Sequence, residues 1–243
     1  MKITIHSTPQ AVGADAASFI AQRINEAIAK NGEARLLVST GASQFEMFDA
    51  LVQEQVDWSR VTMFHLDEYV ALPETHIASF RKYLKERFVS RVPLGEAVYV
   101  DGEGDVQGNI AMLTRRICEK PVDVAVVGIG ENAHVAFNDP PADFDTQESY
   151  IVVNLDDRCK CQQVREGWFP AVADVPCQAI SITVSQILKA RCIVSVVPHA
   201  VKAEAVKNTL AQRVNNQVPA TILKTHPDWN LYVDAGAASG FVW

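Results

Sequence analysis

The chain has 243 residues, 48% of them hydrophobic and 21% charged, and a formal net charge of −7. That length and apolar content suffice for a full core, and no linker, charge run or low-complexity tract divides them, so residues 1–243 are expected to form one domain. The acidic balance excludes broad contact with nucleic acid or an anionic membrane and leaves room only for a local basic pocket.

The first residues carry no basic segment followed by a long apolar one, and no apolar run reaches bilayer length, so a cytoplasmic protein without a membrane partner is expected. Five cysteines, an odd number, do not form a disulfide framework. Cys159 and Cys161 lack a second Cys/His pair at zinc-like spacing and are read as structural, so no metal site is expected.

Along the chain, Lys2–His6 alternates and predicts a strand, and residues 11–30 carry apolar side chains at helical spacing up to Asn31-Gly32. A strand over 34–39 and a helix over 45–52 follow, then the strand Val61–His65, with His65 expected in the core. A basic amphipathic helix over 77–89, a short strand over 97–100 and a helix over 108–117 come next. Strands over 122–127, 179–183, 192–197 and 231–233 and helices over 185–189 and 200–210 complete the pattern. Strands alternating with helices at this spacing predict an α/β fold: a mainly parallel open sheet flanked by helices on both faces. Such sheets bind ligands beyond the carboxyl ends of their strands, which singles out four segments.

Ser39-Thr40-Gly41-Ala42-Ser43-Gln44 joins a strand to a helix. Small residues that free backbone amides, hydroxyls and a helix start suit a phosphate, although an ordinary capped turn has the same composition. It lacks the Gly-Lys-Ser/Thr ending of a Walker loop. Asp67-Glu68-Tyr69 follows the strand Val61–His65, where a carboxylate hydrated enough to ionise could act as a general base or simply form a turn.

The third segment, Gly128 to Pro140, places His134 after a buried strand and two glycines, among Glu131, Asn132 and Asp139. Its Gly128-x-Gly130 spacing resembles a dinucleotide fingerprint, but the prolines at 140 and 141 replace the helix that would receive a pyrophosphate. The fourth is Pro198-His-Ala-Val-Lys202, where a lysine in the first turn of a helix opposes the helix dipole unless an anion is held there; a solvated lysine is the alternative.

The runs Ser39-Thr-Gly-Ala-Ser43, Phe64-His-Leu-Asp-Glu-Tyr-Val70, Gly128 through Pro140 and Lys202-Ala-x-Ala-Val206 occur in the order seen in glucosamine-6-phosphate deaminases, a family that shares a superfamily with 6-phosphogluconolactonases. The resemblance spans Leu36 to Val206, and the Asp-Glu-Tyr and His-x-Ala-Phe-Asn runs resemble the deaminase side. It implies a modified Rossmann-like fold and conversion of glucosamine 6-phosphate, or its galacto epimer, to a ketose phosphate and ammonia, without cofactor. It further implies Asp67 as the base shuttling a proton between C2 and C1, and His134 as the group that opens the pyranose ring. Thr40, Gly41, Ala42, Ser43 and Lys202 match the phosphate site.

Two departures stand at the histidine: Asn132 where the family usually has Asp, and Asp139 where it has Glu. On this reading the group orienting the histidine has lost its charge, and Asn132 is expected to accept from the imidazole instead. Among Arg158, Lys160, Gln163 and Arg165, Arg165 is favoured as the lid contact to phosphate. Lactone hydrolysis through water activated by His134 and a non-catalytic sugar-phosphate sensor are the alternatives. The expected partner is a small sugar phosphate, and a homo-oligomer is compatible with the sequence.

Overall fold

The computed structural model describes residues 1–241. The first half runs β1 (Lys2–His6), α1 (Pro9–Asn31), β2 (Ala34–Val38), α2 (Phe45–Leu51), β3 (Val61–His65), β4 (Asp67–Tyr69), α3 (Phe80–Arg87), β5 (Glu96–Val98) and α4 (Val106–Cys118). The second half runs β6 (Val124–Val127), β7 (Tyr150–Asn154), α5 (Asp157–Arg165), β8 (Gln178–Ile182), α6 (Val184–Ile187), β9 (Cys192–Val196), α7 (Ala203–Ala211), β10 (Trp229–Asp234) and α8 (Ala235–Ala238).

Seven strands pair in the order β1-β10-β9-β6-β2-β3-β5, and every pairing is parallel. Side chains alternate across this sheet and feed two cores. Leu37, Phe64, Ala125 and Ile193 face α4, α6, α7 and α8, whereas Leu36, Met63, Val124 and Val194 face α1, α2 and α3. Burial on both faces explains why these strands read as continuous apolar runs. The expected α/β class with helices on both faces is what the sheet shows.

Helix α1 illustrates how local sequence sets an element. Thr8 caps it by accepting from the Ala11 amide at 3.2 Å, Pro9 opens it, and Val12, Ala16, Ile20, Ile24 and Ala27 bury one stripe. Gly32 closes it at φ 80°, returning its N–H to the Ile28 carbonyl at 2.8 Å. Gly13 lets α2 approach: a Cβ there would lie 2.6 Å from the Glu46 carbonyl carbon.

Four elements were not expected from the sequence: β4, β7, α5 and α8. With β8, the strands β4 and β7 build a separate antiparallel sheet in the order β4-β8-β7. It carries a third core of Tyr69, Phe137, Leu155, Cys159, Phe169 and Ala179. The helix expected over 200–210 is also subdivided, with a tight 3-10 turn at Ala200–Lys202 before α7 begins.

Strand order reverses between β2 and β6. From β2 the chain proceeds outward to β3 and β5, and from β6 it proceeds the other way to β9 and β10. The carboxyl ends of β2 and β6 therefore flank a crevice where loops diverge, the position at which open α/β sheets hold ligands. The Ser39 amide donates to Val126 O at 3.0 Å, carrying the pairing of β2 and β6 one residue past β2. Among the described residues, no helix is long and apolar enough to cross a membrane.

Candidate active site

A cavity of about 310 Å³ occupies this crevice. Its wall takes Ser39 to Ser43 from the turn after β2, Asp67 from β4, and Gly128 to Glu131 and His134 from the loop after β6. Lys202 from the turn after β9 and Arg165 from α5 complete it, so the four segments converge although they are up to 163 positions apart in sequence, from Ser39 to Lys202.

Asp67 differs from its sequence expectation in surroundings. Instead of a hydrated turn carboxylate, it is a strand residue paired with Ser181 and is only 7% exposed, with Leu66, Phe80 and Phe137 also in the cavity wall. Burial, and secondarily the charge of Glu68, push its carboxyl up to about 8. No hydrogen bond occupies its side chain among the described residues. Glu68, its neighbour, points the other way: it is fully buried and accepts from Ser79 Oγ and the amides of Tyr69, Phe80 and Arg81 at 2.9–3.2 Å. The strand's alternation thus assigns one acid to the cavity and the other to the start of α3.

The His134 loop is fixed from several sides. The Gly130 amide donates to His134 O at 2.9 Å, Phe137 N donates to Ser181 Oγ at 3.0 Å, and the Asn138 side-chain amide donates to Val135 O and Ile182 O. Ala133 and Ala136 hold left-handed conformations at φ 65° and 51°, strain that this hydrogen bonding sustains. The ring lies against Gly130, where a Cβ would overlap the imidazole.

Asp139, not Asn132, faces the ring. His134 Nδ1 is 3.1 Å from Asp139 Oδ1, an ion-pair distance without the alignment of a good hydrogen bond. Asn132 donates from Nδ2 to the same Oδ1 at 2.9 Å and accepts the His134 backbone amide at 3.1 Å. This corrects the sequence expectation that Asn132 itself accepts from the imidazole: the loop geometry turns its oxygen to the backbone, and the charge at the ring is supplied by Asp139. Burial pushes the Asp139 carboxyl up, but His134 and the Asn132 bond outweigh it and hold the carboxyl below its ordinary value. Asn132 and Asp139 stand behind the ring and do not line the cavity.

Lys202 is 7% exposed and its side chain makes no hydrogen bond or ion pair among the described residues, so the solvated-lysine alternative does not describe it. Burial lowers its affinity for a proton, opposed by the charges of Glu166 and Glu131. A buried ammonium turned toward an open cavity is a costly arrangement that a bound anion would relieve. Opposite it, Gly41 adopts φ 102° and its carbonyl accepts from Tyr83 Oη at 2.9 Å, which pins the turn of Thr40 to Ser43.

Arg165 lines the cavity and is engaged with Glu131. Gln163 also lines the wall; Arg158 lines a neighbouring cavity of about 490 Å³ that shares Glu131, Gln162 and Arg165 with the first. Lys160 lines neither cavity. Gln162, Glu166, Trp168 and His199 also stand in the wall, without having been expected there from the sequence. His199 had a signal, since it stands in the Pro198–Lys202 segment. Its backbone sits at φ 81° and its amide donates to Asp234 Oδ1 at 3.0 Å. Among the described residues, no group of three or more His, Cys, Asp or Glu side chains is placed to hold a metal ion.

Relatives of known sequence and structure resemble the chain over nearly its whole length. A glucosamine-6-phosphate deaminase of Streptococcus pneumoniae is 33% identical over 210 residues, covering 86% of this chain and 88% of the relative. A solved monomeric glucosamine-6-phosphate deaminase of the NagB superfamily superposes with a TM-score of 0.90 at 25% identity, over 99% of this chain and all of the other. A 6-phosphogluconolactonase from Shewanella baltica shares the fold, with a TM-score of 0.79 at 21% identity over 96% and 97% of the two chains. With residues 7–231 matching its family model, the chain belongs to the glucosamine-6-phosphate isomerase/6-phosphogluconolactonase family.

Proposed function

We propose that the protein is a glucosamine-6-phosphate deaminase, formed as one catalytic unit, that releases ammonia and a ketose 6-phosphate. The observation that carries this reading is Asp67: a desolvated carboxylate, free of side-chain hydrogen bonds among the described residues, in the same cavity as a histidine and a buried lysine whose ammonium has no partner among those residues.

In this reading the phosphate lies between the Thr40–Ser43 turn and Lys202, with Arg165 reaching it once released from Glu131. His134 moves a proton from the anomeric hydroxyl to the ring oxygen, which opens the ring to the aldehyde, and Asp139 stabilises the transient imidazolium. Asp67 then takes the C2 proton, giving an enolamine, and returns it to C1. The resulting ketimine adds water and expels ammonia. A base raised toward pH 8 is matched to a weak carbon acid, and the phosphate anchor holds the open chain against it.

Lactone hydrolysis needs no carbon-acid base, so an unbonded, desolvated Asp67 favours the deaminase. The sensor alternative rested on a histidine without a carboxylate, and Asp139 removes that ground. A panel of glucosamine 6-phosphate, galactosamine 6-phosphate and 6-phosphogluconolactone, assayed for ammonia, ketose and acid, tests the reading. Ammonia and ketose from an amino-sugar phosphate support it; lactone hydrolysis alone overturns it.

A further inference from the structure

Gln44 lies directly beneath the Thr40–Ser43 turn, is fully buried, and takes no part in the chemistry above. Its Nε2 is 3.0 Å from Val196 O and 3.1 Å from Ser43 Oγ, while its Oε1 is buried without a partner among the described residues. A backbone carbonyl can only accept, so the amide nitrogen must be the atom that faces Val196. The second N–H of that nitrogen then points at Ser43 Oγ and occupies one of its lone pairs. Ser43 donates to no protein acceptor among the described residues, and it is half-buried on the cavity wall.

We infer that Gln44 is a positioning residue that turns the Ser43 hydroxyl into a donor aimed at the substrate's phosphate. The inference rests on the phosphate site proposed above. A hydroxyl has one proton; once Gln44 donates to it from below, that proton is available to the cavity. With the Lys202 ammonium opposite, the anchor offers donors and no side-chain acceptor from these residues, which suits a phosphate monoester dianion and disfavours a neutral hydroxymethyl group. The same amide joins both walls of the anchor, because Val196 ends β9 and leads into the His199–Lys202 turn. An unpaired buried amide oxygen is a cost to folding. It accompanies the only orientation in which the nitrogen serves both acceptors.

The test measures the Kd for inorganic phosphate by calorimetry, and kcat and KM for glucosamine 6-phosphate, in the wild type, Gln44→Met, Ser43→Ala and the double variant. Gln44→Met is expected to weaken phosphate binding about tenfold, the scale of one hydrogen bond, with the loss in turnover falling on KM rather than kcat. In the Ser43→Ala background the same substitution is expected to cost no more than about twofold further, because two residues acting through one contact are not additive. Equal losses in both backgrounds would mark Gln44 as merely structural and overturn the inference, as would an unchanged phosphate Kd in folded Gln44→Met. If circular dichroism shows Gln44→Met unfolded, Ser43→Ala decides: undiminished phosphate binding overturns the inference and about tenfold weakening supports it. A wild type that binds phosphate but releases no ammonia defeats the deaminase reading and leaves the Gln44–Ser43 coupling measurable.

Discussion

Gly130 and His134 occupy one volume: the imidazole lies where any side chain at position 130 would begin. The glycine here is a matter of space, since its φ is not in the left-handed region. The loop closes on itself through Gly130 N to His134 O, which fixes the backbone that carries the ring. Gly130→Ala is expected to leave the sheet intact and lower kcat/KM at least about a hundredfold by displacing the ring roughly an ångström. Steady-state kinetics beside a melting curve checks this; near-normal turnover would mean that the imidazole position is not needed.

Asp67 yields a prediction in pH. A base must be ionised, so kcat/KM should rise with pH and level off above an apparent pKa near 8. Stability runs oppositely. The folded pKa is raised above the unfolded value of about 3.9, so the folded state holds the extra proton between the two, and this group's contribution to stability falls as pH climbs from about 4 to 8. Asp67→Asn should therefore abolish turnover, keep phosphate binding, and melt higher than wild type at pH 8 but not at pH 4. A wild-type profile that is flat between pH 6 and 9 would contradict the base assignment.

The main sheet was legible because each buried strand is an apolar run and each crossover helix an amphipathic one, as with Val124–Val127 and α1. The four cavity segments followed from the rule that functional residues succeed strands. Strand β4 was not legible, because Asp-Glu-Tyr carries two residues disfavoured in strands and becomes one only by pairing with β8. Strand β7 carries a weak signal, the short apolar run Tyr150-Ile-Val-Val set between polar residues on either side. The roles of Asn132 and Asp139 could not be read from spacing, since one loop's backbone geometry decides which side chain meets the imidazole.

That exchange of roles can be separated by mutation. Asp139→Asn would present an amide to His134 Nδ1 and remove the charge that stabilises an imidazolium. It is expected to lower kcat by about 10²–10⁴ with a small effect on KM. Asn132→Ala removes one donor from Asp139 and should cost only about tenfold, since the carboxylate remains. Were the two losses reversed in size, Asn132 would be the group that matters to the ring.

Lys202 combines a stability effect with a binding effect of opposite sign. Without a ligand, its buried ammonium has no partner among the described residues, and Lys202→Met keeps the stem's apolar contacts while removing the uncompensated charge. The apo variant is expected to melt several degrees above wild type. Inorganic phosphate should raise the wild-type Tm by mass action and leave the variant's unchanged, because the anion binds only the folded state and requires the charge. In turnover the variant should show KM raised about a hundredfold, the equivalent of roughly 3 kcal/mol for a desolvated charge pair left incomplete. A variant that melts lower than wild type and is still protected by phosphate would place the anion elsewhere in the cavity, and Arg165 would be the side chain to test next.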